Sequence, residues 1–152
     1  MQVLDTLTAA DRVSVMVFGS IASCVNPLYP RYDGATICPF MQADKTTIAQ
    51  LAQRVGSLTT AGTTNFVGAF RMAFESFGTS IGPDFRDPGS PCTSVVLFLS
   101  DGTPDRWTQD DVRELTDVWR LKGTSTGARP HVLTYALGSG APVDTLQDIA
   151  CR

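Results

Sequence analysis

A chain of 152 residues with 43% hydrophobic side chains has enough apolar surface for one ordinary core and is too short for two. Its 12 basic and 15 acidic residues leave a net charge of −3 with no basic block, which removes the electrostatic footprint of a nucleic-acid or membrane-surface binder. No apolar span reaches the roughly 18–20 residues of a membrane helix, and the start MQVLDTLTAADR lacks the basic end and apolar centre of a signal peptide.

Leu4 and Leu7 stand at helical spacing before the turn-former Asp11, which reads as the last turns of a helix feeding a strand. The chain is therefore expected to be incomplete at its N-terminus. The strand is RVSVMVF, Arg12 to Phe18, rich in β-branched and aromatic residues. A loop-rich section, NPLYPRYDGATICPF, follows and is expected to contribute a short edge strand around Ala35 to Cys38. A helix beginning near Asp44 carries Ile48, Leu51, Ala52 and Val55 at helical spacing, and a second, NFVGAFRMAFESF, aligns Phe66, Phe70, Phe74 and Phe77 into a core stripe.

The run TSVVLFLSDGTPD comes next. Val95 to Leu99 lack polar alternation, which predicts a strand covered on both faces, as in parallel α/β sheets. A helix is expected from Thr108, with a capping-box-like Thr108 and Asp111 pair and an inner face of Val112, Leu115 and Trp119. His131 to Leu137 is the third strong strand, and a last helix begins at Pro142 and buries Leu146, Ile149 and Ala150. It stops at Arg152 in or just after a helix, so incompleteness is expected there too. Strands alternating with helices predict a doubly wound, mostly parallel α/β sheet flanked by helices, and no repeat or linker divides residues 1–152 into more than one domain.

Four cysteines, Cys24, Cys38, Cys92 and Cys151, fall in no zinc-ligand spacing. Two disulfides and buried free thiols are both open. Of the three connectivities, Cys24 with Cys38 closes the Pro- and Tyr-containing excursion, and Cys92 with Cys151 ties a strand entrance to the last helix.

Catalytic patterns fail one by one. LFLSDGT has the outline of the DxDGT phosphatase signature, but Leu99 stands where an aspartate must attack phosphorus, and an alkyl side chain forms no aspartyl phosphate. The GSG of Gly138 to Gly140 lacks the spacing of a nucleophile elbow or a phosphate loop and reads as a turn. His131 is the sole histidine and starts a strand, so a hydrolase triad would rest on it alone. What remains is a set of hard oxygen donors. Thr63 and Thr64 precede the phenylalanine-striped helix, as caps or as ligands. Asp101 follows a buried strand with no helix onset, and Gly102 permits a sharp turn there. Hydroxyl and carboxylate on neighbouring loops suit Mg²⁺ or Mn²⁺.

The ordered segments LTAADRVSVMVF, AGTTNFVGAF, VVLFLSDGTPD and YALGSGAPVDTLQDIAC resemble a von Willebrand factor A domain from its first helix onward, over nearly the whole chain. Cys92 before the VVLFLSDG strand and the IAC ending at Cys151 resemble in particular the A domains of alpha-2-delta auxiliary subunits of voltage-gated calcium channels and their cache-domain relatives. The resemblance implies a metal-ion-dependent adhesion site, in which five side chains on three loops hold a divalent cation that a partner's carboxylate completes. Thr64, with Thr63 as the alternative, matches the family's threonine, and Asp101 matches its late aspartate. The first ligand loop, DxSxS, would precede Met1, and with it the usual first central strand.

The resemblance thus implies a non-enzymatic, adhesion-type protein-interaction module with a partial metal site. Mg²⁺, Mn²⁺ or Ca²⁺ would be held in the complete domain and weakly or not at all by these residues. The implied partner is a protein supplying Asp or Glu, a channel subunit among the candidates, with no nucleic acid and no membrane insertion by this segment. Trp107 would offer an apolar anchor beside the ion, core packing being its plainer use. The implied location is extracellular or at the cell surface within a longer protein. The competing reading is the A domain of an intracellular enzyme complex such as a magnesium-chelatase-type subunit.

Overall fold

The expected strand Arg12–Phe18 is broken in two. In the computed structural model, which describes residues 3–26, 37–59, 62–79, 93–105, 107–115 and 130–151, it forms β1 (Arg12–Val13) and β2 (Met16–Phe18). The break serves two partners. β2 turns through Gly19–Ile21 into β3 (Ala22–Cys24), paired antiparallel with Met16 opposite Cys24, and β1 pairs antiparallel with β4 (Met41–Gln42). At the break Ser14 donates its hydroxyl to Cys38 O at 3.0 Å, and Val15 O accepts the Val25 N–H at 2.9 Å.

Two sequence expectations are corrected by these strands and the turn before them. Leu4–Thr6 is a single 3-10 turn rather than the end of an α-helix, because the next N–H is diverted: Thr8 donates both its N–H and its hydroxyl to the Asp11 carboxylate, at 2.8 and 2.9 Å. The edge strand expected at Ala35–Cys38 lies at Met41–Gln42 instead. Ala35 lies outside the described residues, while at Cys38 side chains replace the ladder: its N–H donates to Ser76 Oγ at 2.7 Å, its C=O takes Ser14, and Pro39 has no N–H to give. The short strand β3, which lies before the loop-rich section, has all three of its residues buried and paired.

The helices follow their local signals. α1 (Lys45–Gly56) starts at Asp44, whose Oδ1 accepts the Thr47 N–H at 2.7 Å, and it buries Leu51 completely. α2 (Phe66–Thr79) buries Phe66, Phe70 and Phe74, with Phe77 packed at the margin. β5 (Val95–Ser100) and β6 (His131–Ala136) run parallel in unbroken register from Val95 opposite His131 to Ser100 opposite Ala136. Between them in sequence is α3 (Gln109–Arg113), opened by a full capping box of Thr108 and Asp111. α4 (Val143–Ala150) lays Leu146 and Ile149 on β6, leaves Ala150, expected inside, exposed at its last turn, and accepts the Thr134 hydroxyl at Leu146 O, 2.9 Å. Trp119 lies outside the described residues.

The described strands make three two-stranded pairs, two antiparallel and one parallel, in a mixed α/β fold. A main core gathers Phe66, Phe70, Phe74, Phe98, Val132, Leu146 and Ile149, and a smaller one gathers Ala22, Cys24, Cys38 and Met72; Phe18 packs against both. Among the described residues, the β5–β6 pair is covered on one face only. Phe98 and Val132 are 5% exposed, whereas Val95, Leu99, Leu133 and Tyr135 on the other face are 45–52% exposed, so the expected burial of this strand on both sides is not met.

Candidate functional site

The loop before α2 is held by the hairpin turn of β2 and β3. Asn65 is the cap: its Oδ1 accepts the Gly68 N–H at 2.8 Å, while its Nδ2 donates to Ser20 O at 3.3 Å and its own N–H to Gly19 O at 2.9 Å. Neither threonine caps the helix. Thr63 donates its N–H to Ser20 Oγ at 3.2 Å, and its side chain is exposed. Gly62 has φ +83°, and a Cβ there would run into Ser20 Oγ, so both backbone conformation and space call for glycine.

The second loop is the turn leaving β5. Ser100, 6% exposed, closes that turn on itself: its hydroxyl accepts the Gly102 N–H at 3.3 Å and reaches Gly102 O at 3.1 Å. The hydroxyl thereby satisfies the backbone that a buried strand exit would otherwise leave open, and Asp101 is carried outward, exposed to solvent. The two loops meet. Asp105 donates its N–H to Thr64 O at 3.1 Å, and a Cβ added at Gly102 would lie 3.0 Å from Thr64 Oγ1. The GSG turn closes the third side, with Gly140 set so that a Cβ would lie 3.6 Å from Asp101 O.

Of the two candidate hydroxyls, Thr64 is therefore the one beside the Asp101 turn, and among the described residues its Oγ1 has no hydrogen-bond partner. A divalent cation is compatible in kind with this donor set: an unengaged hydroxyl and an exposed carboxylate on adjoining loops are hard oxygen ligands. It is short in number. Among the described residues no three of His, Cys, Asp and Glu cluster as a metal group.

Trp107 packs inward, its ring edge-on to Phe66 at 5.7 Å and half-buried against the main core. Cys24 and Cys38 are bridged, with Cα atoms 5.1 Å apart, and both are buried. Cys151 is a free, exposed thiol; its expected partner Cys92 lies outside the described residues. An open hollow of about 340 Å³ lined by Val25, Arg54, Ser57 and Leu58 sits past the end of β3, at the opposite end of the hairpin from the Ser20 turn.

No family model and no curated protein matches this chain. The site is thus described by its own geometry. Ser20, Asn65 and Ser100 are the residues that sequence reasoning passed over. A Gly-Ser pair directly after a β-forming run was the available signal for the first, and an Asn directly before a phenylalanine stripe for the second.

Proposed function

We propose that the chain is a non-enzymatic recognition module of the von Willebrand factor A type, which takes an acidic group of a protein partner through a divalent cation at Thr64 and Asp101. The observation that carries this reading is the junction of the two loops, by Asp105 N–H to Thr64 O at 3.1 Å and by Gly102 against Thr64 Oγ1. The two loops on which the resemblance puts these ligand types, 37 residues apart by their numbers in the sequence, thereby adjoin, which supports the reading.

The cation would be Mg²⁺, Mn²⁺ or Ca²⁺, and when bound it would supply residual positive charge and an exchangeable position for a carboxylate. Thr64 and Asp101 would hold it. The sequence has two of the five side chains that such a site uses, which is why binding by these residues alone is expected to be weak.

Further support comes from the fold. β5 and β6 are parallel, as a doubly wound sheet requires, and both β2 and β5 end at the Thr64 loop, one through Gly19 O to Asn65 N–H and the other through the 101–105 turn. Ligands in open α/β sheets sit at the carboxyl ends of strands. The buried Cys24–Cys38 bridge favours an oxidising, extracellular setting, and no described helix is long and apolar enough to cross a membrane.

Pull-down or titration with a glutamate-bearing peptide or protein, with Mg²⁺ and with chelator, tests the reading. Binding that needs the cation and falls in Thr64→Ala and Asp101→Ala supports it. Binding undiminished in chelator and in the double variant overturns it.

A further inference from the structure

We propose that Ser20, in the hairpin turn between β2 and β3, is a positioning residue that sets the Thr64 hydroxyl at the candidate cation site. The proposal rests on the cation-bridged reading for its functional consequence, and on the hairpin contacts for its geometry.

Ser20 meets the loop in three ways. Its Oγ accepts the Thr63 N–H at 3.2 Å, its C=O accepts Asn65 Nδ2 at 3.3 Å, and its Oγ occupies the space that a side chain at Gly62 would need. Gly19 O adds the Asn65 N–H at 2.9 Å. The residues on both sides of Thr64 are thus tied to one turn, Thr63 and Asn65 lying 43 and 45 residues from Ser20 in sequence. From the other side, Thr64 O is fixed by the Asp105 N–H. The loop is thus anchored through the Thr63 N–H, the Asn65 N–H and Thr64 O, and the Thr64 hydroxyl, which has no hydrogen-bond partner among the described residues, is the group left to a ligand.

Ser20 itself is exposed, so removing its hydroxyl leaves no core cavity. What is lost is the Thr63 anchor and the wall against Gly62. Groups that orient a metal ligand through one intermediate bond typically alter affinity by about 10- to 100-fold when removed. The lower figure suits a site whose other anchors, Gly19 O and Asp105 N–H, remain.

The experiment follows the amide signals of the ¹⁵N-labelled chain during titration with Mn²⁺, whose paramagnetic broadening reports even weak occupancy. Wild type, Ser20→Ala and Ser20→Thr are compared, and solvent exchange of the Thr63 amide is measured without metal. The expected result is broadening centred on Thr64 and Asp101, with a midpoint about tenfold higher in Ser20→Ala and restored in Ser20→Thr, which keeps the oxygen. An unchanged midpoint in Ser20→Ala overturns the positioning role. Absence of broadening in the wild type overturns the cation reading instead, and the Thr63 amide then decides the geometry separately: faster exchange in Ser20→Ala upholds the anchor, and unchanged exchange removes it.

Discussion

Phe18 and Phe98 stack with their ring centroids 4.9 Å apart, although β2 and β5, the strands that carry them, share no backbone hydrogen bond. The hairpin and the parallel pair are joined here by side chains. Phe98 also stacks on Phe70 at 4.3 Å and meets Phe66 edge-on at 4.9 Å, so it stands at the centre of an aromatic cluster.

Phe98→Ala is expected to lower stability by about 3–5 kcal/mol, the range for truncating a buried phenylalanine. Phe18→Ala, at a partly buried position, should cost less. A double-mutant cycle by urea unfolding should return a coupling of about 0.5–1.5 kcal/mol between the two rings. Strict additivity would show that the stack holds nothing together.

Asn65→Ala removes the cap of α2 and is expected to cost about 1 kcal/mol, while Asn65→Asp keeps the accepting oxygen and should cost less. Thermal melts of the two variants compare them directly. Equal losses would assign the effect to the Ser20 contact, which needs the amide N–H₂, rather than to the cap.

Closing the Cys24–Cys38 loop, with a sequence separation of 14, is worth roughly 3 kcal/mol in the chain-entropy model. Cys24→Ala combined with Cys38→Ala should lose about that much. Non-reducing peptide mapping should recover this bridge, and a Cys151 that alkylates without reductant would agree with its free, exposed state.

Two exposed carboxylates carry a defined acid sensitivity. Hydrogen bonds from the Thr47 N–H hold Asp44 below its ordinary value of 3.8, and the N–H and hydroxyl of Thr8 do the same for Asp11. A carboxylate whose pKa is depressed on folding stabilises the fold above its unfolded value and loses that contribution as pH falls through the folded one. The stability gap between wild type and Asp44→Asn should therefore be constant near neutrality and shrink below about pH 4. A gap that stays constant down to pH 2 would show that ionisation of Asp44 is irrelevant to α1.

Helices were the legible part of this fold because their signals are local: Asp44 and Thr108 each sit within three residues of the N–H they receive, and the α2 stripe was plain although its cap, Asn65, was not. Strand pairing was less so. Ala22, Ser23 and Cys24 have little strand propensity of their own and become β3 through β2, and the break at Ser14 is hidden because the apolar alternation continues across it. Continuous apolarity over Val95–Leu99 reads as two-sided burial, yet it specifies only that both faces are apolar, not that both are covered. At the site, Thr64 and Asp101 stood out through their motif. Ser20 did not, because its part is played through contacts more than 40 residues away in sequence.

The outward side of the β5–β6 pair has a consequence for the chain as a solute. Val95, Leu99, Leu133 and Tyr135 put an oily strip into water, at a cost of about 25 cal/mol for each Å² that stays wet. Such a surface makes colloidal behaviour depend on the medium: sulfate and phosphate should drive the chains together at concentrations where chloride leaves them apart. Light scattering across the two salts would register it, and Leu133→Lys, which places a charge mid-strip, should move the onset of clouding to higher salt.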